Sequence, residues 1–219
     1  DQKKNNFKIL SHNFQGESQI LKIKYDNTVR LVKLNLIGKI QLKNLLMAII
    51  AAKKSKLKLK KIFESIPKIK PVEGRFQKIG KIKNGSLVIL DYAHTPEALK
   101  TCLLNLREQF PLKKISLLFG CGGNRDQNKR AKMGKIANDY SDKIYLTDDN
   151  PRFEDPEKIR RDIKKAIFRK NMIEISNRKN AIKVGIEDLN TGDILLVAGK
   201  GHEKTQDTGH RKVFFSDKK

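Results

Sequence analysis

"SLVILDYAHTPEALKTCLLNLREQF" (residues 86–110) is the stretch on which the fold turns. Its apolar run, 86–91, does not alternate with polar residues. Such a run reads as a strand covered on both faces, the usual state of a strand in a parallel sheet. Thr95 is placed to cap the helix that follows, and Pro96 takes the first helical position, where a missing N–H costs nothing. Leu99, Cys102, Leu103 and Leu106 then recur at i, i+3, i+4 and i+7, which is one helix face.

Working outward, the same alternation repeats. "ISLLF" (115–119) is a second buried strand, followed by a glycine loop and a helix striped by Met133, Ile136, Ala137 and Tyr140. "KIYLT" (143–147) is a third strand, leading to a helix capped by Asp155 with Pro156 at its start and carrying Ile159, Ile163, Ala166 and Ile167. A short strand "IEI" (173–175), a helix near 179–189 and the strand "ILLVA" (194–198) complete the series. Strands alternating with helices give an α/β, Rossmann-like domain with a mainly parallel sheet covered on both faces.

The first third has another pattern. "QILKIKY" (19–25) and "VRLVKLNL" (29–36) alternate with period two and read as half-buried strands. A helix follows with Leu45, Leu46, Ile49 and Ile50 on one face, then a basic amphipathic stretch with Leu59, Ile62, Phe63 and Ile66 apolar. Two prolines and a glycine near 67–74 mark a boundary, so the expected domains are 1–70 and 71–219.

The formal net charge of +24 raises the alternative of a nucleic-acid-binding module. The distribution opposes it. The surplus is spread along the chain with one denser run, "KKSKLKLKK" (53–61), and it is made of 37 Lys against 11 Arg. Trp is absent and aromatics do not interleave with the basic runs, so no stacking platform is visible. No run of about 18 apolar residues is present, so no membrane-spanning helix is expected. Cys102 and Cys121 lack metal-ligand spacing and read as unpaired thiols in a reducing compartment.

In a sheet of this kind ligands bind beyond the carboxyl ends of the strands. Four polar clusters fall there: "DYAHTP" (91–96), "GCGGNRDQNKR" (120–130), "DDNPR" (148–152) and "GKGHE" (199–203). Each alone is explained by turns and caps; four on one edge make a candidate site. Arg125 and Arg152 offer planar forks for carboxylates. Asp149 and Glu203 accept from ammonium groups, and Asn150 both donates and accepts. The set suits a zwitterion with more than one amino-acid end. Neither glycine loop matches the phosphate-binding pattern G-x-x-x-x-G-K-[ST]. His94 is an acid–base candidate, set against the commoner reading of a loop histidine as a plain hydrogen-bonding group, and neither cysteine has a base and orienter beside it.

In order and spacing, "GRF" (74–76), "DYAHTPEAL", "FGCGGNRDQNKR", "TDDNPR" and "AGKGHE" resemble the carboxyl-terminal half of the Mur ligases, specifically the branch that adds meso-2,6-diaminopimelate. The resemblance runs from about residue 30 to the end. It implies an ATP-dependent amide-forming ligase of peptidoglycan precursor synthesis, cytoplasmic and monomeric, with ATP, a UDP-N-acetylmuramoyl dipeptide and diaminopimelate as its partners. In this family the D-glutamate carboxylate is activated as an acyl phosphate and attacked by the incoming amine.

Carried onto this chain, the resemblance assigns diaminopimelate to Arg125, Asp149, Asn150, Pro151, Arg152, Gly199 and Glu203. It assigns ATP to Asn44, Arg75 and Asp91. Family members that add lysine lack the arginine at the position of Arg152. The family's N-x-x-N pair appears here as Gln41 and Asn44, a departure on the adenine side. The resemblance also places the phosphate loop, the Mg²⁺ ligands, the carbamylated lysine and the uridine-nucleotide domain upstream of residue 1. These residues are therefore expected to be the tail of a central α/β ATPase domain followed by the third domain, inactive alone. Other expected readings are a lysine-adding or folylpolyglutamate-type ligase of the same superfamily.

Overall fold

The computed structural model describes residues 7–25, 28–82, 85–168 and 171–218. They form two compact units, Asp1–Pro71 and Val72–Lys219.

In the first unit, β1 (Phe7–Gln15), β2 (Ser18–Tyr25) and β3 (Thr28–Leu34) make an antiparallel meander. Period two sends Leu21 and Ile23 of β2, and Val32 and Leu34 of β3, to one face. There they meet Leu42, Leu45 and Ile49 of α1 (Lys39–Lys54) and Ile62 of α2 (Leu59–Ser65). Fully burying each such side chain is worth roughly 1.5–3 kcal/mol. Ile50 departs from the expected helix face: it is exposed, and Leu42 takes the inward position one turn before Leu45. A 3.6-residue period carries position 50 past the edge of the stripe set by 42, 45 and 49. The buried Gln19 donates to the carbonyls of Leu36 and Gly38 (2.8 and 3.1 Å), satisfying the backbone where the chain turns from β3 into α1.

The second unit is built on β4 (Gln77–Lys81), β5 (Leu87–Asp91), α3 (Pro96–Gln109), β6 (Ile115–Phe119), α4 (Asn128–Tyr140), β7 (Lys143–Leu146), α5 (Pro156–Lys164), β8 (Met172–Glu174), α6 (Arg178–Glu187) and β9 (Ile194–Ala198). A hairpin of β10 (Thr205–Asp207) and β11 (Lys212–Phe214) follows. The main sheet has the order β4-β5-β9-β6-β7-β8. Five strands are parallel, and β4 joins the edge antiparallel to β5. Every residue of β5, β6 and β9 is buried, as their unbroken apolar runs require.

The caps form as their chemistry dictates. Thr95 accepts from the amide of Ala98, and Asp155 from that of Glu157. Helix α5 ends at Lys164, so Ala166 and Ile167 lie beyond it, Ile167 still buried.

Crossovers from β5 through β8 run one way across the sheet, and the return to β9 runs the other. Right-handedness therefore sends α6 to the face opposite α3–α5. There Ala181 and Leu189 pack on Leu118, Tyr145, Leu195 and Val197. The return also inserts β9 between β5 and β6, which makes neighbours of the loops after β5, β9, β6 and β7.

Candidate functional site

Those four loops enclose a cavity of about 450 Å³. Arg125, Asp149, Asn150, Arg152, Gly199 and Glu203 all line it, together with Tyr92 and His94. Pro151 does not. It lies on the wall of a neighbouring cavity of about 760 Å³, and Arg152 lines both.

The 148–152 loop is held from two sides. On one side the amide of Gly123 donates to the Asn150 carbonyl (2.9 Å), and the amide of Phe153 donates to Asn124 Oδ1 (3.0 Å). Glu154 accepts from the amide of Asn124 and from Arg130 Nη2. Arg130 is fully buried, and its Nη1 reaches Asp162 at 3.2 Å. Its hydrogen bond holds the Glu154 carboxyl below the usual carboxylate range. On the other side the β10–β11 hairpin engages the loop. Gln206 Nε2 donates to the Asp149 carbonyl (2.7 Å), the Asp207 amide to Asn150 Oδ1 (3.0 Å), and the Arg152 amide to the Asp207 carbonyl (3.0 Å).

Within this frame the polar groups are set. Arg152 has φ +53°, a left-handed conformation that costs a non-glycine residue of order 1 kcal/mol. Its Nη1 donates to the Gly123 carbonyl (2.8 Å), and its Nε lies 3.9 Å from Asp207. Asp149 is buried, with Oδ1 accepting from the Asn150 amide (2.7 Å). Gly199 has φ +114°, which favours glycine, and a side chain there would place Cβ 2.7 Å from Asp149 Oδ2 and press on that carboxylate.

Glu203 Oε2 accepts from Asn150 Nδ2 (2.9 Å) and Lys200 Nζ (3.0 Å), and Tyr92 OH approaches Oε1 at 3.4 Å. Burial works to raise the Glu203 carboxyl, but the hydrogen bonds from Asn150 and Lys200 prevail and hold it below the ordinary range. Burial and the Glu203 charge push the Tyr92 hydroxyl up. Arg125 is exposed at the rim. The cavity thus presents cationic forks and carboxylates together, as a zwitterion requires.

The residues expected to contact ATP stand differently. Asp91 is buried and accepts from the amides of Phe76 (2.7 Å) and Ala93 (2.8 Å), so its two oxygens brace the start of the 91–96 loop. The Arg75 guanidinium lies 5.0 Å over the Tyr92 ring. Asn44, in the first unit, is exposed on α1 and donates to Gln41 at 3.3 Å. His94 Nδ1 pairs with the Tyr92 carbonyl (2.9 Å).

Cys102 and Cys121 are buried and unpaired. Burial pushes the Cys121 thiol up to about 12 and the Cys102 thiol up as well, so both stay protonated at neutral pH. Among the described residues no group of three or more His, Cys, Asp or Glu could hold a metal ion. Among the described residues no helix is long and apolar enough to cross a membrane.

Sequence pattern does not single out Tyr92, Lys200, Gln206 or Asp207. The first two lie inside quoted clusters. The hairpin has a signal in "TGH" (208–210), a glycine turn between short polar–apolar runs.

The chain matches the family described as Mur ligase, glutamate ligase domain, over residues 74–201. It is 41% identical over 225 residues to a UDP-N-acetylmuramoyl-L-alanyl-D-glutamate--2,6-diaminopimelate ligase of Rickettsia typhi, covering 97% of this chain and 45% of that protein. It is also 41% identical, over 211 residues, to the protein of that name from Leptospira interrogans, covering 95% and 41%. A solved structure of a ligase with the same name superposes with a TM-score of 0.73 at 35% identity, covering 99% of this chain and 44% of that one. A folylpolyglutamate synthase of Mycobacterium tuberculosis shares the fold, at a TM-score of 0.70 and 17% identity, over 90% of this chain and 46% of that one. The chain spans less than half the length of the curated relatives it matches. A family domain matched over most of the second unit, carried by relatives at this identity, leaves one conclusion: the chain belongs to the Mur ligase family.

Proposed function

We propose that this chain is the amino-acid-binding part of an ATP-dependent ligase that adds meso-2,6-diaminopimelate to UDP-N-acetylmuramoyl-L-alanyl-D-glutamate. The observation that carries the reading is the presence of Arg125 and Arg152 in one cavity with Asp149 and Glu203. Diaminopimelate has two amino-acid ends and differs from lysine by one distal carboxylate. Arg152 already spends Nη1 on the Gly123 carbonyl and sets Nε beside Asp207, so the discrimination lies with the guanidinium donors left over, which gain a partner only when that carboxylate is present. With lysine those donors face the cavity without it, and a lost polar partner of this kind discriminates by roughly 10⁴. The names of the relatives at 41% identity support the same substrate.

In this reading ATP converts the D-glutamate carboxylate to an acyl phosphate. The diaminopimelate amine attacks its carbonyl, and phosphate leaves as the amide forms. The part of this chain is to bind and orient the amine. Asn44, Arg75 and Asp91 belong to the nucleotide side, with Asp91 acting through the loop it braces. The described residues contain no cluster of His, Cys, Asp or Glu fit to hold Mg²⁺, and the orientation of the amine rests on the cavity's own side chains. The reading is that of a cytoplasmic enzyme acting as a monomer, with the first unit as the end of its ATP-binding domain.

The test is ligation by the full-length protein offered diaminopimelate or lysine, followed by phosphate release. Preference for diaminopimelate by at least a thousandfold in kcat/KM is expected. Equal use of lysine overturns the substrate, and absence of ATP-dependent ligation overturns the reading.

A further inference from the structure

The lysine between the two glycines of "GKGHE" has no role in the sequence reading. The structure gives it one. Lys200 is fully buried. Its three N–H donors have three acceptors: Asn150 Oδ1 (2.8 Å), Glu203 Oε2 (3.0 Å) and the Thr205 carbonyl (2.8 Å). An ammonium group has no fourth donor, so Lys200 has nothing to offer a phosphate or any other ligand.

Its effect falls on Asn150. Oδ1 of that amide receives Lys200 Nζ and the Asp207 amide, and Nδ2 faces the Glu203 carboxylate. Both partners of the oxygen can only donate, and an ionised carboxylate can only accept. A flipped amide would set NH₂ against two donors and oxygen against a carboxylate, so a single orientation survives. Glu203 is constrained by the same contacts. Oε2 already has two donors and Oε1 takes the Tyr92 hydroxyl (3.4 Å), which leaves the remaining lone pair of Oε1 and the second Nδ2 hydrogen of Asn150 for a ligand.

We propose that Lys200 is a positioning residue for amino-acid recognition, fixing the amide of Asn150 and the carboxylate of Glu203 in the orientation that receives the substrate's amino-acid end. The inference rests on the ligase reading above for the identity of the substrate, though not for the orientation itself.

The experiment compares the full-length enzyme with Lys200→Met, which keeps the chain volume and removes the charge and donors. Lys200→Gln, which retains an amide donor, serves if the Met variant does not fold. Expected is a rise of at least tenfold in KM for diaminopimelate, with KM for ATP and for the UDP-linked dipeptide within about twofold. Combined with Glu203→Gln, the KM effects should be strongly non-additive, because both changes act through one pair. Equal losses for all three substrates, or simple additivity, would show a structural role only and overturn the proposal. A readout independent of substrate is exchange of the Asn150 side-chain amide protons, slow in the wild type and fast in the variant. Unchanged exchange overturns the positioning role. Fast exchange in a protein that does not ligate diaminopimelate retains that role and overturns the ligase reading instead.

Discussion

Arg178 and Asp217 form a bidentate ion pair in which neither side chain is exposed: Nε to Oδ1 and Nη2 to Oδ2 are both 2.7 Å. Nη2 also donates to the carbonyl of Ala198, the last residue of β9 (2.9 Å). One guanidinium therefore joins the start of α6, the segment after β11 and the strand end from which "GKGHE" departs. Burial opposes its charge, but the Asp217 carboxylate prevails and raises its pKa.

Removing one partner leaves the other as a buried, unpaired charge. Arg178→Leu should therefore destabilise the protein by about 3–5 kcal/mol. Arg178→Leu with Asp217→Leu should recover a large share of that loss, since no buried charge is left over. Urea unfolding of the full-length single and double variants checks the order. A double variant as unstable as the single one would mean that packing, not charge, dominates.

Gly123 and Pro151 couple the two loops on the cavity's arginine side. A Cβ on Gly123 would lie 1.9 Å from the Pro151 carbonyl oxygen, a backbone atom that cannot rotate away. Gly123→Ala should push the 148–152 loop off the 120–130 loop and break the Arg152 bond to the Gly123 carbonyl. The expected result is a KM for diaminopimelate raised tenfold or more, with a stability loss of about 1–3 kcal/mol. Steady-state kinetics and thermal unfolding report the two effects separately.

The Glu203 carboxyl gives a pH signature. Its neighbours are Lys200, Asn150 and Tyr92, and its pKa is held below the ordinary value. A depressed carboxyl is fully ionised above the ordinary pKa of about 4.3 and loses its contribution only as pH falls through its own lower value. Its grip on a substrate ammonium group should therefore stay constant from neutral pH down past the ordinary carboxylate range. In Lys200→Met the acid limb should move toward neutral pH, because a lowering partner is gone while burial remains. Calorimetric titration with diaminopimelate across pH measures this. An acid limb unmoved by the substitution would count against the assignment.

How much of the molecule is legible in its sequence differs between elements for physical reasons. The strands β5, β6 and β9 announce themselves because burial on both faces forces unbroken apolar runs. Thr95 and Asp155 announce helices because each side chain satisfies an amide its helix leaves open. Strand β4 does not, since "QKIGK" packs one edge only and carries a bulge at Lys78–Gly80. Candidate site residues that the structure brings to one cavity are readable where they sit at the ends of apolar strands. Lys200 and the β10–β11 hairpin are not, because their value lies in contacts between loops about fifty residues apart, which local pattern does not encode. Nor does pattern tell that Asp91 spends its carboxylate on the amides of Phe76 and Ala93.

Arg152 separates recognition from stability. Its backbone is left-handed, which favours glycine, yet its side chain faces both cavities. Arg152→Ala and Arg152→Gly remove the same guanidinium, so both should lower kcat/KM for diaminopimelate by a factor of about 10³–10⁴. Their stabilities should differ. Alanine keeps the strain at φ +53° and loses the bond to the Gly123 carbonyl. Glycine loses the same bond but relieves the strain, offset in part by its larger backbone entropy in the unfolded chain. Arg152→Gly should accordingly be the more stable of the two by about 1 kcal/mol, although glycine normally weakens a chain relative to alanine. Parallel urea titrations decide it: an alanine variant as stable as the glycine variant would mean that the loop relaxes out of the left-handed conformation once the side chain is gone. The backbone at 152 would then be held by the arginine's own contacts, not by the hairpin's hydrogen bond to its amide.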